Sequence, residues 1–197
     1  VEKEPPAGLL DPSHVSGATA LYTEARHTRY GRMLEEALDF AKRAQIPIAL
    51  GLSSFEVVRE DRARLLPLLA TYVDLLFGNE EEVRALTEKE PLEGVFEIPC
   101  PLVVMTRGSK GCLIVERGIA TEVPPFPIDQ LVDTTGAGDH FAAGFLYGYF
   151  RGWPLFSCAL LGNRLGASAV QVLGAHLPPA VWEEVRRYAE EMEAAHF

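Results

Sequence analysis

The run Val132-Asp133-Thr134-Thr135-Gly136-Ala137-Gly138-Asp139 sets two glycines and a carboxylate just ahead of an apolar, helix-forming segment. Glycine lets the backbone turn tightly, and the amides of the helix start then face outward with about half a positive charge behind them. Helix starts of this kind bind anions. Asp139, in the first helical turn, stands beside that site. An anion hole next to a carboxylate suits phosphoryl transfer. The amides neutralise the moving group, the carboxylate accepts a hydroxyl proton, and a loose transition state asks for placement more than for basicity. An Asp at a helix start is also favoured by the dipole alone, so spacing by itself leaves both readings open.

Rival chemistries fail on spacing. A dinucleotide fingerprint wants Gly or Ala at position 141, where Phe stands, and no Gly-Lys-Ser/Thr of a P-loop occurs. Gly166-Ala-Ser168-Ala ends in Val170, so it is no nucleophile elbow. A methyltransferase loop would want an acidic-x-Gly-x-Gly pattern, and Asp133 lies one residue too far from Gly136. His140 reads as a packing or partly exposed helix residue, and no His-Glu-x-x-His exists for a metal. Two further segments are chemically neutral on their own. Asn79-Glu80-Glu81-Glu82 is a capping box, and Thr106-Arg107-Gly108-Ser109-Lys110-Gly111 is a hairpin turn.

The elements that must hold these residues alternate. Short apolar runs at 18–22, 46–52, 73–77, 101–106, 111–116 and 119–123 read as strands, and another strand is expected to end at Asp133. Helical periodicity covers 30–44, 59–72, 79–86 and 137–150. Pro67 should kink the second of these, and Pro154 and Pro179 should each begin a helix. The last helix is expected to bury Val181, Trp182, Val185, Tyr188 and Met192. Such alternation predicts an α/β fold with a mostly parallel sheet, with ligands at the carboxyl ends of its strands.

With 197 residues the chain fits a single domain, 1–197. The net charge of -10 and the lack of a Lys/Arg stripe speak against nucleic acid and anionic membranes as partners. The longest apolar stretch, Phe141 to Phe150, is too short to span a bilayer. Cys100, Cys112 and Cys158 are odd in number and widely spaced, which argues for a reduced, cytoplasmic setting rather than disulfides or zinc. The chain opens on Val1 with no signal-peptide pattern. It therefore reads as an internal point in a longer protein or the start of a truncated product.

Asp-Thr-Thr-Gly-Ala-Gly-Asp followed by Phe141, Ala142, Ala143 and Gly144 resembles the signature of ribokinase-type (PfkB) carbohydrate kinases. The resemblance implies a three-layer α/β/α fold with a mostly parallel central sheet. It makes Asp139 the base and the amides of Gly136, Ala137 and Gly138 the anion hole. Asn79 and Glu82 resemble an Asn-x-x-Glu motif that holds Mg2+ through water. The Thr106–Gly111 turn resembles the one bordering the ATP phosphates and ribose, with Thr106, Arg107, Gly108, Lys110 and Gly111 as contacts alongside Thr135. Asn163, Gly166, Ala167, Gly174 and Ala175 resemble the adenine-side wall. Asp133 and Thr135 match positions that take a monovalent cation, K+, in some members.

The implied reaction moves the γ-phosphoryl group of Mg-ATP to a sugar or nucleoside with a primary hydroxyl. Val73 to Glu82 and Ala143 to Gly148 look most like the adenosine-kinase-like branch. A homodimer is among the expected assemblies. The resemblance covers only the C-terminal portion of the family pattern: the lid and N-terminal strands, with their Gly-Gly pair and early Asp, have no counterpart here. The alternative reading is therefore a truncated, non-catalytic nucleotide-binding or assembly module, and this chain alone is expected to be a poor kinase.

Overall fold

Ile48, Ala49, Leu50 and Gly51 are all buried, the pattern of a strand covered on both faces as parallel sheets require. This strand, β2 (Ile48–Gly51), lies between β1 (Leu21–Glu24) and β3 (Leu75–Asn79), parallel to both. The computed structural model describes residues 10–194 and divides them into two compact units. The first runs through residue 105 and includes 115–119; the second holds 106–114 and 120 onward.

In the first unit β4 (Leu102–Thr106) follows β3 in the sheet. Helix α1 (Met33–Arg43) turns Leu34, Leu38 and Ala41 inward, a spacing that keeps one helical face apolar. Helix α2 (Phe55–Tyr72) starts at Ser54, whose side chain accepts the Val57 N–H. Arg64 of α2 grips Glu35 of α1 through two bonds of 2.6 and 2.7 Å. Helices α3 (Glu80–Thr87) and α4 (Pro91–Gly94) complete the unit.

The second unit carries most of β5 (Cys112–Glu116) and of β6 (Ile119–Val123), then α5 (Ala137–Tyr149), α6 (Leu155–Ala169) and α7 (Pro179–Ala194). Residues Arg117 and Gly118 between β5 and β6 both have positive φ, as a two-residue hairpin turn demands. Helices α5 and α6 meet so closely that a Cβ on Gly144 would lie 2.9 Å from the Leu161 carbonyl oxygen. A Cβ on Gly162 would lie 3.0 Å from the Phe141 ring. Small residues at 144 and 162 are thus what lets α5 sit against α6.

Several expectations shift. The first strand is Leu21–Glu24 rather than 18–22, and its one buried residue is Thr23, so apolar content pointed to the wrong span. No strand runs into Asp133; Val132 and Asp133 form a loop whose N–H groups both bond the Val170 carbonyl. Helix α2 continues through Pro67, which lies on the exposed side where water can satisfy the carbonyl left unpaired. Pro154 is the residue before α6 rather than its first, whereas Pro179 does begin α7. Helix α7 buries Val185 and Ala189 only; Trp182 is 37% exposed, and Val181, Tyr188 and Met192 are half-buried.

Candidate active site

Gly136 is the N-cap of α5 and adopts φ +76, ψ 2, a left-handed conformation that β-carbon-bearing residues resist. Having no side chain, Gly136 makes no side-chain cap bond at this helix start. The Ala137 N–H turns back to the Thr134 carbonyl at 3.2 Å, and the His140 N–H begins the helical ladder on the Gly136 carbonyl at 3.0 Å. The amides of Gly138 and Asp139 lie between these two. A Cβ built on Gly138 meets nothing within 4 Å, so the helix start opens onto free space. Asp139 is exposed on this first turn.

The loop leading into α5 is braced by Asp133. One carboxylate oxygen accepts the Thr135 N–H at 3.0 Å and the Thr135 hydroxyl at 2.8 Å; the other accepts the Gly174 N–H at 2.9 Å. The Thr135 amide, then the Gly174 amide and the Thr135 hydroxyl, hold Asp133 below the usual carboxylate range. Sequence reading placed Asp133 and Thr135 as cation positions; in the structure they bond each other and tie the glycine loop to residue 174.

Beside the helix start lies a cavity of about 520 Å3. Thr106 at the end of β4 and Gly108 and Gly111 of the turn after it line it, with Ala137 and Gly138 of α5 and Asn163, Gly166 and Ala167 of α6. Arg107, Lys110, Thr135, Gly136 and Asp139 do not line it. The turn is a short 3-10 segment, Gly108–Lys110, closed by a 2.8 Å bond from the Arg107 N–H to the Gly111 carbonyl. Gly111 is obligatory by sterics. Its φ is +82, and a Cβ there would come within 2.1 Å of the Val123 carbonyl oxygen.

The opposite wall was missed by sequence reasoning. Pro125, Phe126, Pro127 and Ile128, with Leu131 and Val170, give the cavity an apolar side. The signal was present in the proline-rich run Pro124-Pro125-Phe126-Pro127 after β6. Asn163 fixes this wall, its amide donating to the Pro124 carbonyl at 2.7 Å. Phe126 is itself clamped, with the Arg164 guanidinium 4.6 Å over its ring and Tyr188 edge-on at 5.8 Å. The apolar wall and the open helix start belong to one cavity in one unit, dimensions that suit a ligand with a flat apolar end and an anionic end.

Asn79 and Glu82 belong to the first unit. The Asn79 side chain accepts the Glu82 N–H at 2.9 Å, and the Glu82 carboxylate accepts the Asn79 N–H at 2.8 Å. This is a complete capping box at the start of α3. Glu82 is 7% exposed, and burial pushes its carboxyl above the usual range, with the Asn79 amide opposing and Glu81 and Glu24 adding to the rise. Among the described residues no group of three or more His, Cys, Asp or Glu is gathered as a metal site, and no helix is long and apolar enough to cross a membrane. Burial pushes Cys112 and Cys158 up to about 12 and Cys100 to about 11, so all three free thiols stay protonated and inert.

The pfkB family carbohydrate kinase pattern matches residues 11–181. The chain belongs to this family. Among its PfkB relatives are the cytidine kinase of Thermococcus kodakarensis, 42% identical over 107 residues, covering 51% of this chain and 38% of that one. The inositol 3-kinase of Zea mays is 39% identical over 132 residues, covering 66% of this chain and 31% of its own. The solved adenosine kinase of Sinorhizobium meliloti superposes with a TM-score of 0.83 at 29% identity, over 91% of this chain and 57% of that one. A ribokinase from Thermotoga maritima shares the fold, with a TM-score of 0.68 at 24% identity over 92% of this chain and 60% of its own. The α/β, ribokinase-like class expected from sequence is therefore the observed one. The chain spans about 31% to 60% of the lengths of these relatives.

Proposed function

We propose that this chain carries the nucleotide-binding and catalytic part of a kinase that moves the γ-phosphoryl group of Mg-ATP to a hydroxyl of a sugar or nucleoside. The observation that carries the reading is the uncapped start of α5 facing open space at Gly138, on the same cavity as the 106–111 turn and the apolar Pro125–Ile128 wall. ATP fits these residues by type: the amides of Gly138 and Asp139 suit its phosphates, and the proline and phenylalanine wall suits a flat base. Mg-ATP supplies the phosphoryl group and the metal charge. The chain orients it, excludes water on the apolar side, and offers the Asp139 carboxylate to the acceptor's hydroxyl proton.

Asn79 and Glu82 cap α3 through each other's backbone N–H groups. Asp133 and Thr135 act as the brace of the glycine loop. Relatives that are named as kinases of cytidine, adenosine and inositol support a polyhydroxylated acceptor, and a small-molecule substrate is preferred over any macromolecular partner.

Calorimetry with Mg2+ and a non-hydrolysable ATP analogue tests the binding part. Heat of binding and a raised melting temperature are expected. A folded chain that gives neither at millimolar analogue would reject the site. In a turnover assay with sugar and nucleoside acceptors, this chain alone is expected to be slow, because positioning is most of what such chemistry needs. Efficient turnover by this chain would overturn that expectation while strengthening the kinase assignment.

A further inference from the structure

His140 directly follows the proposed base, yet its ring is already engaged elsewhere. Its Nδ1 lies 2.8 Å from the carbonyl oxygen of Gly136. That oxygen also accepts the backbone N–H of His140 at 3.0 Å. A carbonyl only accepts, so Nδ1 must carry the hydrogen, and the tautomer is fixed by the geometry. The same peptide unit, Gly136–Ala137, is held on its other edge by the Ala137 N–H donating to the Thr134 carbonyl at 3.2 Å. Behind Gly136, a built Cβ would be 3.0 Å from the Cβ of Ala175. The imidazole also packs near the Trp182 indole of α7, with centroids 6.1 Å apart and planes 35° from parallel.

We propose that His140 is a positioning residue: its imidazole Nδ1–H clamps the Gly136–Ala137 peptide and thereby holds the following amides of α5 in the direction a phosphate group needs. This rests on the Mg-ATP reading above. Gly136 supplies the turn but has no side chain to steady it, and a glycine N-cap is the most mobile choice for a site that must not reorient. One side-chain donor on its carbonyl supplies the missing restraint without occupying the open face at Gly138. His140 is thus neither a second base nor a mere packing residue.

The test compares ADP affinity and melting temperature for the parent chain and for His140→Ala, His140→Asn and His140→Gln. The Asn amide nitrogen branches from Cγ, as Nδ1 does, whereas the Gln nitrogen sits one bond further out. Loss of one hydrogen bond in His140→Ala should weaken ADP by about five- to tenfold. His140→Asn should recover most of that loss and His140→Gln should not. Unchanged ADP affinity in His140→Ala, failure of Asn to recover it, or equal recovery by Gln would each overturn the proposal. If the parent chain itself binds no ADP, the Mg-ATP reading falls first and this inference with it. Should the variants fail to fold, nitrogen NMR of the parent ring decides: an Nδ1–H tautomer supports the clamp, and an Nε2–H tautomer of neutral His140 overturns it.

Discussion

Two helices of this chain begin in opposite ways. At the start of α3, Asn79 and Glu82 satisfy each other's backbone N–H groups, and Glu82 is buried in doing so. At the start of α5, Gly136 caps with no side chain, and the space in front of Gly138 is open. A helix start that closes on itself contributes stability, by about 1 kcal/mol for a good cap. One left open forgoes that stabilisation and keeps its donors for something outside the chain. The contrast separates a start built for folding from a start built for a ligand, although both carry a carboxylate in the first turn.

The comparison breaks most visibly at Asp139. If its carboxylate accepts a proton rather than merely favouring the dipole, Asp139→Asn in a catalytically complete protein should lower kcat by about 10²- to 10⁴-fold. ATP affinity should change little or rise, since a negative charge beside the phosphates is gone. Near-normal kcat would reduce Asp139 to a helix-start residue. The next effect is smaller and has opposite signs in two readouts. Gly138→Ala adds a good helix former, so stability should hold or rise by up to about 1 kcal/mol. Its Cβ enters the open space, so Mg-ATP affinity should fall by about tenfold, or roughly 1.4 kcal/mol. Asn79→Ala is the counterpart at the closed start, where melting temperature should fall with the loss of about 1 kcal/mol. Unchanged nucleotide affinity in Gly138→Ala would mean that the open start faces no ligand.

The smallest effect is a pH slope. Burial first, then Glu81 and Glu24, raise Glu82 above its ordinary 4.5. The folded chain thus holds that proton more tightly than the unfolded chain, which favours folding below the ordinary value and is lost as pH rises through the raised one. Glu82→Gln keeps an oxygen for the Asn79 amide but cannot ionise. The melting temperature of the Gln variant relative to the parent should therefore climb as pH rises from the ordinary carboxylate value through the raised one. A flat or falling difference would show that the capping box holds the ionised carboxylate without strain.

The glycine-rich start was legible because its chemistry lies in consecutive residues, and so was the capping box, whose two partners are three apart. Most helices were legible from periodicity, because each has one face set against the core. The first strand was not: its buried residue is Thr23, which a search for apolar runs passes over. The loop at Val132 and Asp133 imitates a strand in sequence, but its N–H groups go to Val170, far away in the chain. Nor could the exposure of Trp182 be read from its apolar spacing, since only α7's packing decides which stripe is covered. The Pro125–Ile128 wall became part of the site through Asn163, a contact across 39 positions that no local pattern records.

That wall has a thermodynamic consequence. Three of the four residues in Pro124-Pro125-Phe126-Pro127 have their φ fixed by the pyrrolidine ring, and the carbonyl of the first is anchored by Asn163. A chain segment with so few accessible conformations gives up little entropy when a ligand settles against it. The cavity is therefore preorganised on its apolar side, and the ordering that accompanies binding falls mainly on the ligand.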